Sequence, residues 1–88
     1  MPAVSVFFGI TIPMYYRDHP PPHLHAWYQG QEALIDIQNG VVLAGAIPRR
    51  ALRIVREWID DHRMELMANW GRGEGREPFE LIPGADVE

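Results

Sequence analysis

Residues 23–38 read HLHAWYQGQEALIDIQ, and their pattern gives the clearest structural signal in the chain. Apolar residues alternate with polar ones on both sides of the central glycine, which is typical of two half-buried strands joined by a tight turn. A two-residue turn at Gly30-Gln31 predicts that His25 pairs with Asp36 across the strands. The stretch therefore predicts a β-hairpin with an apolar inner face and a more polar outer face.

The predicted outer face carries two histidines and a carboxylate. His23 and His25 are two residues apart, so an extended strand places both on one face, beside Asp36. Two imidazoles and a carboxylate can ligate a divalent metal such as zinc, or they can transfer protons in an acid–base reaction. The alternative is that they are ordinary polar residues on a solvated sheet. His19, in the loop before three prolines, is a further candidate ligand.

The segments around the hairpin predict further strands. Residues 4–8 form an apolar run, and residues 10–17 alternate, although Pro13 favours an edge or bulged strand there. Asn39-Gly40 is the strongest hairpin signal in the chain, and it leads to a predicted strand at residues 41–44. The sheet is therefore expected to be an antiparallel meander of three or four strands.

One long helix is expected after the sheet. Pro48 suits the first helical position, and apolar residues recur at helical spacing over residues 49 to about 70. The fold class is thus α+β, with one C-terminal amphipathic helix packed on the sheet. The whole chain is expected to be a single domain over residues 1–88, with a core of about residues 4–70 and a partly ordered tail, residues 71–88. The expected core face of the helix comprises Ala51, Leu52, Ile54, Val55, Trp58, Ile59, His62, Leu66 and Trp70.

Composition excludes several classes of protein. There is no cysteine, hence no disulfide framework or thiol nucleophile, and this suits a reducing cytosol. The net charge of −4 disfavours nucleic-acid binding through bulk charge. No run is long and apolar enough to span a bilayer. We therefore expect a cytoplasmic protein with no membrane association.

Arg49, Arg50 and Arg53 make the beginning of the helix basic. A cation is unfavourable in a first helical turn, and a bound anion would offset that cost, so these residues are candidates for an anion or RNA contact. The alternative is an ion-paired solvated face, with Arg53–Glu57 and Arg56–Asp60 pairs at i,i+4 spacing.

The outer face of the hairpin is also a candidate contact surface. The predicted register sets Trp27 opposite Leu34, with Leu43 on the following strand. An exposed cluster of this kind often marks a site of association. We therefore expect this face to bind a partner or a second copy, unless the apolar tail residues 79–82 fold over it.

The chain resembles a large family of short bacterial proteins, domain of unknown function 4160. The similarity lies in Pro21-Pro22-His23-Leu24-His25-Ala26, in Ala33-Leu34-Ile35-Asp36-Ile37 and in Pro48-Arg49-Arg50-Ala51-Leu52. The resemblance implies a stand-alone cytosolic protein often encoded beside a second small protein, in a toxin–antitoxin-like pair. It implies no settled activity or cofactor.

Three functions follow as hypotheses. The leading one is a partner-binding module of a toxin–antitoxin-like gene pair, acting on a small protein encoded nearby or as a homo-oligomer. The second is a small histidine-dependent hydrolase, RNase-like, with RNA as its substrate. The third is a domain that binds a divalent metal, zinc or similar. The last two use the candidate cluster of His23, His25 and Asp36.

Overall fold

The computed structural model describes residues 3–87, and within that range it contains one antiparallel sheet and one helix. The strands follow one another in the sheet in the order of the chain, β1-β2-β3-β4-β5. The α+β meander with one C-terminal helix is confirmed, with five strands instead of three or four. The elements are β1 (Ala3–Phe7), β2 (Ile10–Pro13), β3 (His23–Tyr28), β4 (Gln31–Asp36), β5 (Val42–Gly45) and α1 (Arg49–Glu74).

The N-terminal residues form a hairpin of their own, which accounts for the larger strand count. Phe8 and Gly9 connect β1 to β2 with φ angles of 51° and 75°. Positive φ at both central residues is the geometry of a type I′ turn, which matches the twist of the strands it joins. Pro13 is the last residue of β2, where the missing N–H does not interrupt the ladder.

The register of the β3–β4 hairpin differs from the predicted one by two residues. The turn lies at Gln29 and Gly30, whose φ angles are 48° and 80°, and not at Gly30-Gln31. His25 therefore pairs with Leu34, and Asp36 pairs with His23. The predicted pairing of His25 with Asp36 is wrong because glutamine occupies the first type I′ position. A shift of two residues preserves the face of every side chain.

The helix covers the inner face of the sheet, the side on which Leu24, Ala26 and Ile35 are fully buried. It begins at Arg49, as predicted, but continues to Glu74, beyond the expected end near residue 70. Its backbone departs from helical geometry at His62, with φ −124° and ψ 21°. Seven residues of the predicted core face are buried: Ala51, Val55, Trp58, Ile59, His62, Leu66 and Trp70. Among residues 3–87, no helix has the length and apolar character needed to cross a membrane.

The C-terminal tail packs against α1 and β1. Asn69 is fully buried, and its side chain both donates to the carbonyl of Glu80 and accepts from the Glu80 N–H. The Ile82 N–H donates to the carbonyl of Val4 at 2.8 Å, so the tail lies beside the outer edge of β1. Ile82 is itself part of the core, whereas Leu81 is 82% exposed.

Trp58 is the largest fully buried side chain and the first test of this packing. Its ring lies 4.9 Å from the ring of Phe7, and its indole N–H donates to the carbonyl of Pro83 at 2.8 Å. We expect Trp58→Ala to lower the free energy of unfolding by roughly 3–5 kcal/mol, and Ile59→Ala by about 2–5 kcal/mol. Urea denaturation measures both. Met64→Ala is the matched control, because Met64 is 87% exposed on the same helix and its removal should leave the midpoint unchanged.

Candidate metal centre

The alternation of β3 positions the two histidines. Leu24 and Ala26 point into the core with no exposed surface, so His23 and His25 lie on the opposite, outer face of the sheet. His23 is itself buried, with 6% of its surface exposed, and His25 is half-buried. Their ring centroids are 5.3 Å apart, so the two imidazoles lie next to each other on this face.

A carboxylate reaches this region from the loop between β2 and β3. The Oδ2 atom of Asp18 lies 3.1 Å from the Nε2 atom of His23 and 3.1 Å from the Nε2 atom of His25. The loop is held on its other side, because the Arg17 N–H donates to the carbonyl of Gly73 near the end of α1. We define these three residues, Asp18, His23 and His25, as the His–Asp cluster.

Each imidazole is oriented by a hydrogen bond from its other nitrogen. Nδ1 of His23 lies 2.8 Å from the carbonyl of Pro21, and Nδ1 of His25 lies 2.9 Å from Oε2 of Glu32. Both partners accept hydrogen bonds, so both Nδ1 atoms carry a proton. Nε2 of His25 also makes a hydrogen bond to Oδ2 of Asp18 at 3.1 Å, and because a carboxylate only accepts, this Nε2 atom is the donor when no metal is bound. Both Nε2 atoms therefore lie at the same carboxylate oxygen, where a metal ion would replace the proton of His25.

This arrangement favours a positive charge among the three side chains. In the described part of the chain, Nε2 of His23 is buried without a hydrogen-bond partner, because Oδ2 of Asp18 lies only 3.1 Å away but is not aligned for a hydrogen bond. A lone pair directed at a carboxylate oxygen is repulsive unless a proton or a metal ion lies between them. A proton on Nε2 of His25 stabilises the contact between His25 and Asp18, but it leaves the contact between His23 and Asp18 without a proton or a cation.

The pKa of Asp18 reflects the same surroundings. Partial burial alone would raise the pKa of this carboxyl. The hydrogen bonds from His25 and from the His19 backbone, together with the charges of His23 and His25, outweigh that effect and hold the pKa below its ordinary value. Asp18 is therefore an anion at neutral pH, as a metal ligand must be.

Aromatic rings form two walls of the cluster. The ring of Trp70, from the end of α1, lies 5.3 Å from the ring of His23. The ring of Tyr15 meets the ring of His25 edge-on at 4.6 Å. Such walls restrict rotation of the imidazoles and lower the local polarity, which strengthens an electrostatic interaction with a bound cation.

Asp36, the carboxylate that the sequence indicated, has another role. Its Oδ1 atom accepts hydrogen bonds from the backbone N–H groups of Gln38, at 2.7 Å, and Asn39, at 3.1 Å. Asp36 therefore closes the turn between β4 and β5, and within residues 3–87 the set of side chains able to share a metal is Asp18, His23 and His25. The carboxylate beside the histidines is thus Asp18 and not Asp36. Asp18 lies in a loop, and the alternation of side chains along a strand does not predict the position of a loop residue.

The other histidines lie apart from this set. His19 follows Asp18 in the chain but is exposed, and only its backbone N–H contacts the carboxylate of Asp18. His62 is buried in the helix, where its Nδ1 atom lies 2.6 Å from Oε1 of Glu65 and its ring contacts Trp58. A site of four histidines is therefore not formed.

Glu32 was not among the residues that the sequence indicated. It orients His25 because the true register pairs Glu32 with Trp27, so that Glu32 lies on the same face as His25 and two positions from its partner Leu34. For Asp18, the one sequence signal is its position shortly before the prolines and His23. Neither Glu32 nor Asp18 lies on an apolar face, so hydrophobic periodicity does not reveal them.

The remaining predicted site residues lie elsewhere on the surface. Arg49, Arg50 and Arg53 line a shallow depression of about 380 Å³ at the beginning of α1. Trp27 pairs with Glu32 and not with Leu34, so the predicted Trp27–Leu34 pair is wrong. Trp27 and Leu34 are half-buried, and Leu43 is 43% exposed.

The fold and cluster define a small α+β protein with two strand histidines and one loop carboxylate. The model of domain of unknown function 4160 matches residues 9–71, which include the whole cluster and most of α1. The chain therefore belongs to this family. No curated protein and no solved structure shows significant similarity to it.

Substitution of Asp36 separates its turn-closing role from a role in the cluster. We expect Asp36→Ala to lower the free energy of unfolding by roughly 1–3 kcal/mol, because two backbone N–H groups lose a charged acceptor. Asp36→Asn keeps an oxygen acceptor and should cost less. Thermal and urea denaturation measure both variants, and an Asp36→Ala protein as stable as the native chain would contradict the assignment.

Proposed function

We propose that the protein binds one divalent transition-metal ion, zinc or a similar ion, through Nε2 of His23, Nε2 of His25 and Oδ2 of Asp18. The observation that carries the proposal is the buried Nε2 of His23, which has no hydrogen-bond partner within residues 3–87 although it lies 3.1 Å from a carboxylate oxygen that His25 shares. Zinc bonds of 2.0–2.2 Å imply ligand–ligand distances of roughly 3.3 Å in a tetrahedral site. The two N–O distances of 3.1 Å are close to that value.

The second shell supports the same proposal. Metal-ligating histidines generally donate their other N–H to a backbone carbonyl or a carboxylate, which fixes the tautomer. His23 has the first kind of partner, Pro21, and His25 has the second, Glu32. An ordinary surface histidine needs neither partner, so the solvated-surface interpretation leaves both hydrogen bonds and the burial of His23 unexplained.

Three protein ligands leave a coordination position for water or substrate. A metal in such a site can lower the pKa of bound water and supply a hydroxide nucleophile. This supports the hydrolytic alternative, an RNase-like activity, as an extension of metal binding. The leading proposal remains metal binding itself, because the cluster alone supports it.

Titration with Zn²⁺ and Co²⁺ tests metal binding. We expect the full, tag-free, chelator-treated chain to bind one equivalent of Zn²⁺ by calorimetry. The Co²⁺ form should show the visible absorption of a low-coordinate site. His23→Ala, His25→Ala and Asp18→Ala should each abolish tight binding. Glu32→Gln, which weakens only the support of His25, should reduce affinity by roughly 10–100-fold.

The controls are two side chains that the sequence indicated as candidate ligands but that lie outside the proposed ligand set. His19→Ala and Asp36→Asn should bind Zn²⁺ as the native chain does. Native-like binding by Asp18→Ala, or loss of binding in either control, would contradict the proposed ligand set.

We propose a second function, a cytoplasmic partner-binding module of a toxin–antitoxin-like gene pair in a bacterium. The specific observation in its favour is apolar surface beside β5: Val41 is 51% exposed and Leu43 is 43% exposed. The absence of cysteine supports a reducing compartment. Co-purification with the product of the adjacent gene tests this role, and it is independent of the metal centre.

A further inference from the structure

One edge of the sheet is open. β5 pairs with β4 alone, whereas at the opposite edge the tail residue Ile82 donates to the carbonyl of Val4 on β1. Within residues 3–87, no backbone hydrogen bond is made on the outer side of β5. Three of its four residues are exposed, and none is charged. The pairing with β4 contains a β-bulge, which leaves Leu43 without a partner residue between the pairs of Val42 and Ala44. The outer N–H and C=O groups of this short edge strand remain unpaired and are open to another chain.

An arginine stripe follows this edge. Arg49, Arg53 and Arg56 lie on one side of α1, at i, i+4 and i+7 spacing. Nε of Arg56 donates to the carbonyl of Gly40 at 2.8 Å, two residues before β5 begins, and Arg49 comes four residues after Gly45, the last residue of β5. The first turns of α1 therefore run back along the side of β5.

A groove borders the helix on the side away from β5. Arg50 and Ile54 line this groove with Phe8, Ile10 and Tyr28. Arg50 also lines the depression that contains Arg49 and Arg53, so the stripe lies on the exposed surface of α1 between this groove and β5. The hydrogen bond from Arg56 to Gly40 is the contact that joins the stripe to the β5 side.

The guanidinium groups of the stripe have no carboxylate partner in the described part of the chain. The expected Arg53–Glu57 and Arg56–Asp60 ion pairs are not formed, and Asp60 instead contacts Arg63 at 2.6 Å. Residues 49–56 contain four arginines and no acidic residue, in a chain whose net charge is −4. Positive charge is thus concentrated beside the open edge, although the protein as a whole is acidic.

We propose that β5 accepts an extended acidic segment of a partner protein as a sixth strand, with carboxylates of that segment bound to Arg49 and Arg53. Strand addition supplies backbone hydrogen bonds, and alternate side chains of the added strand supply specificity. A peptide is favoured over a nucleic acid because only a peptide backbone matches the unpaired groups of β5, and because the net charge of −4 repels a long polyanion. This inference rests on the proposed partner-binding role and not on the metal centre.

Peptide selection is the first part of the test. The immobilised full chain is presented with a displayed library of random decapeptides at low ionic strength. We expect enriched sequences with Asp or Glu at alternate positions and with apolar or β-branched residues between them. The consensus peptide is then synthesised with a fluorophore, and its binding is measured by anisotropy at increasing salt, which should weaken it because the contacts are partly electrostatic.

Two changes separate strand addition from simple charge attraction. N-methylation of alternate backbone amides of the consensus peptide keeps its carboxylates but removes its hydrogen-bond donors, and it should weaken binding by at least about tenfold. The double variant Arg49→Glu/Arg53→Glu should weaken binding by a similar factor. Arg76→Glu is the matched control, since Arg76 is an exposed arginine in the tail, and it should bind as the native chain does.

Each contrary result overturns a defined part of the inference. Enriched peptides without acidic residues, or an N-methylated peptide that binds equally well, would overturn strand addition beside the stripe. Peptide binding could instead be lost in Phe8→Ser and retained in Arg49→Glu/Arg53→Glu. That result would overturn binding at β5 and leave the partner-binding role intact. A dimer detected by sedimentation and lost in the double variant would assign the edge to a second copy. A selection without any enriched binder would overturn peptide binding at the edge, whereas the partner-binding role is decided separately by co-purification with the product of the adjacent gene.

Discussion

The two-residue period of β3 determines both which side chains form the core and which side chains form the candidate site. Leu24 and Ala26 have no exposed surface, so they fix which side of the strand faces the helix. His23 and His25 must then lie on the other side, where the loop carboxylate of Asp18 meets them. A slip of one residue would bury imidazoles in an apolar core and expose the leucine, at a cost in desolvation that a domain this small cannot offset. The orientation of the site is therefore a consequence of core formation.

Much of the fold was predictable because it depends on patterns that the sequence states directly. Helical spacing identified the core face of α1, including Trp58 and Leu66, and alternation identified the inner face of the hairpin. The register was wrong because Gln29 adopts positive φ, which short-range turn preferences do not favour. The error was two residues, so it changed pairing partners but not faces.

The site was less predictable than the fold. The histidines were evident from their spacing, but the carboxylate that lies beside both of them is Asp18 and not Asp36. Asp18 approaches from a loop whose path depends on contacts with the far end of α1, including the Arg17 to Gly73 hydrogen bond and the stacking of Tyr16 on Phe79. These contacts join segments far apart in sequence, and no local period encodes them. Asp36 had the right chemistry and the right face, but its oxygen is used by the turn.

The two proposed sites use different side chains of one sheet. His25 on β3 pairs with Leu34 on β4, and Leu34 pairs with Ala44 on β5. Two strand spacings, roughly 10 Å, therefore separate the strand of the histidines from the open edge. The proposed metal ligands come from β3 and from the loop before it, whereas the arginine stripe comes from the first turns of α1. Because the two sites share no side chain, metal binding and partner binding are expected to be separable by substitution.

In the proposed metal centre, both imidazoles present an unprotonated Nε2 to one shared cation while Nδ1 stays protonated. Long-range ¹H–¹⁵N correlation spectra of the imidazole nitrogens, recorded during a Zn²⁺ titration of the ¹⁵N-labelled chain, measure this directly. We expect one equivalent of Zn²⁺ to shift the Nε2 resonances of His23 and His25, to leave their Nδ1 atoms protonated, and not to affect His19 or His62. Nε2 atoms that keep their protons in the presence of Zn²⁺, or shifts confined to His19 or His62, would contradict the proposed metal centre.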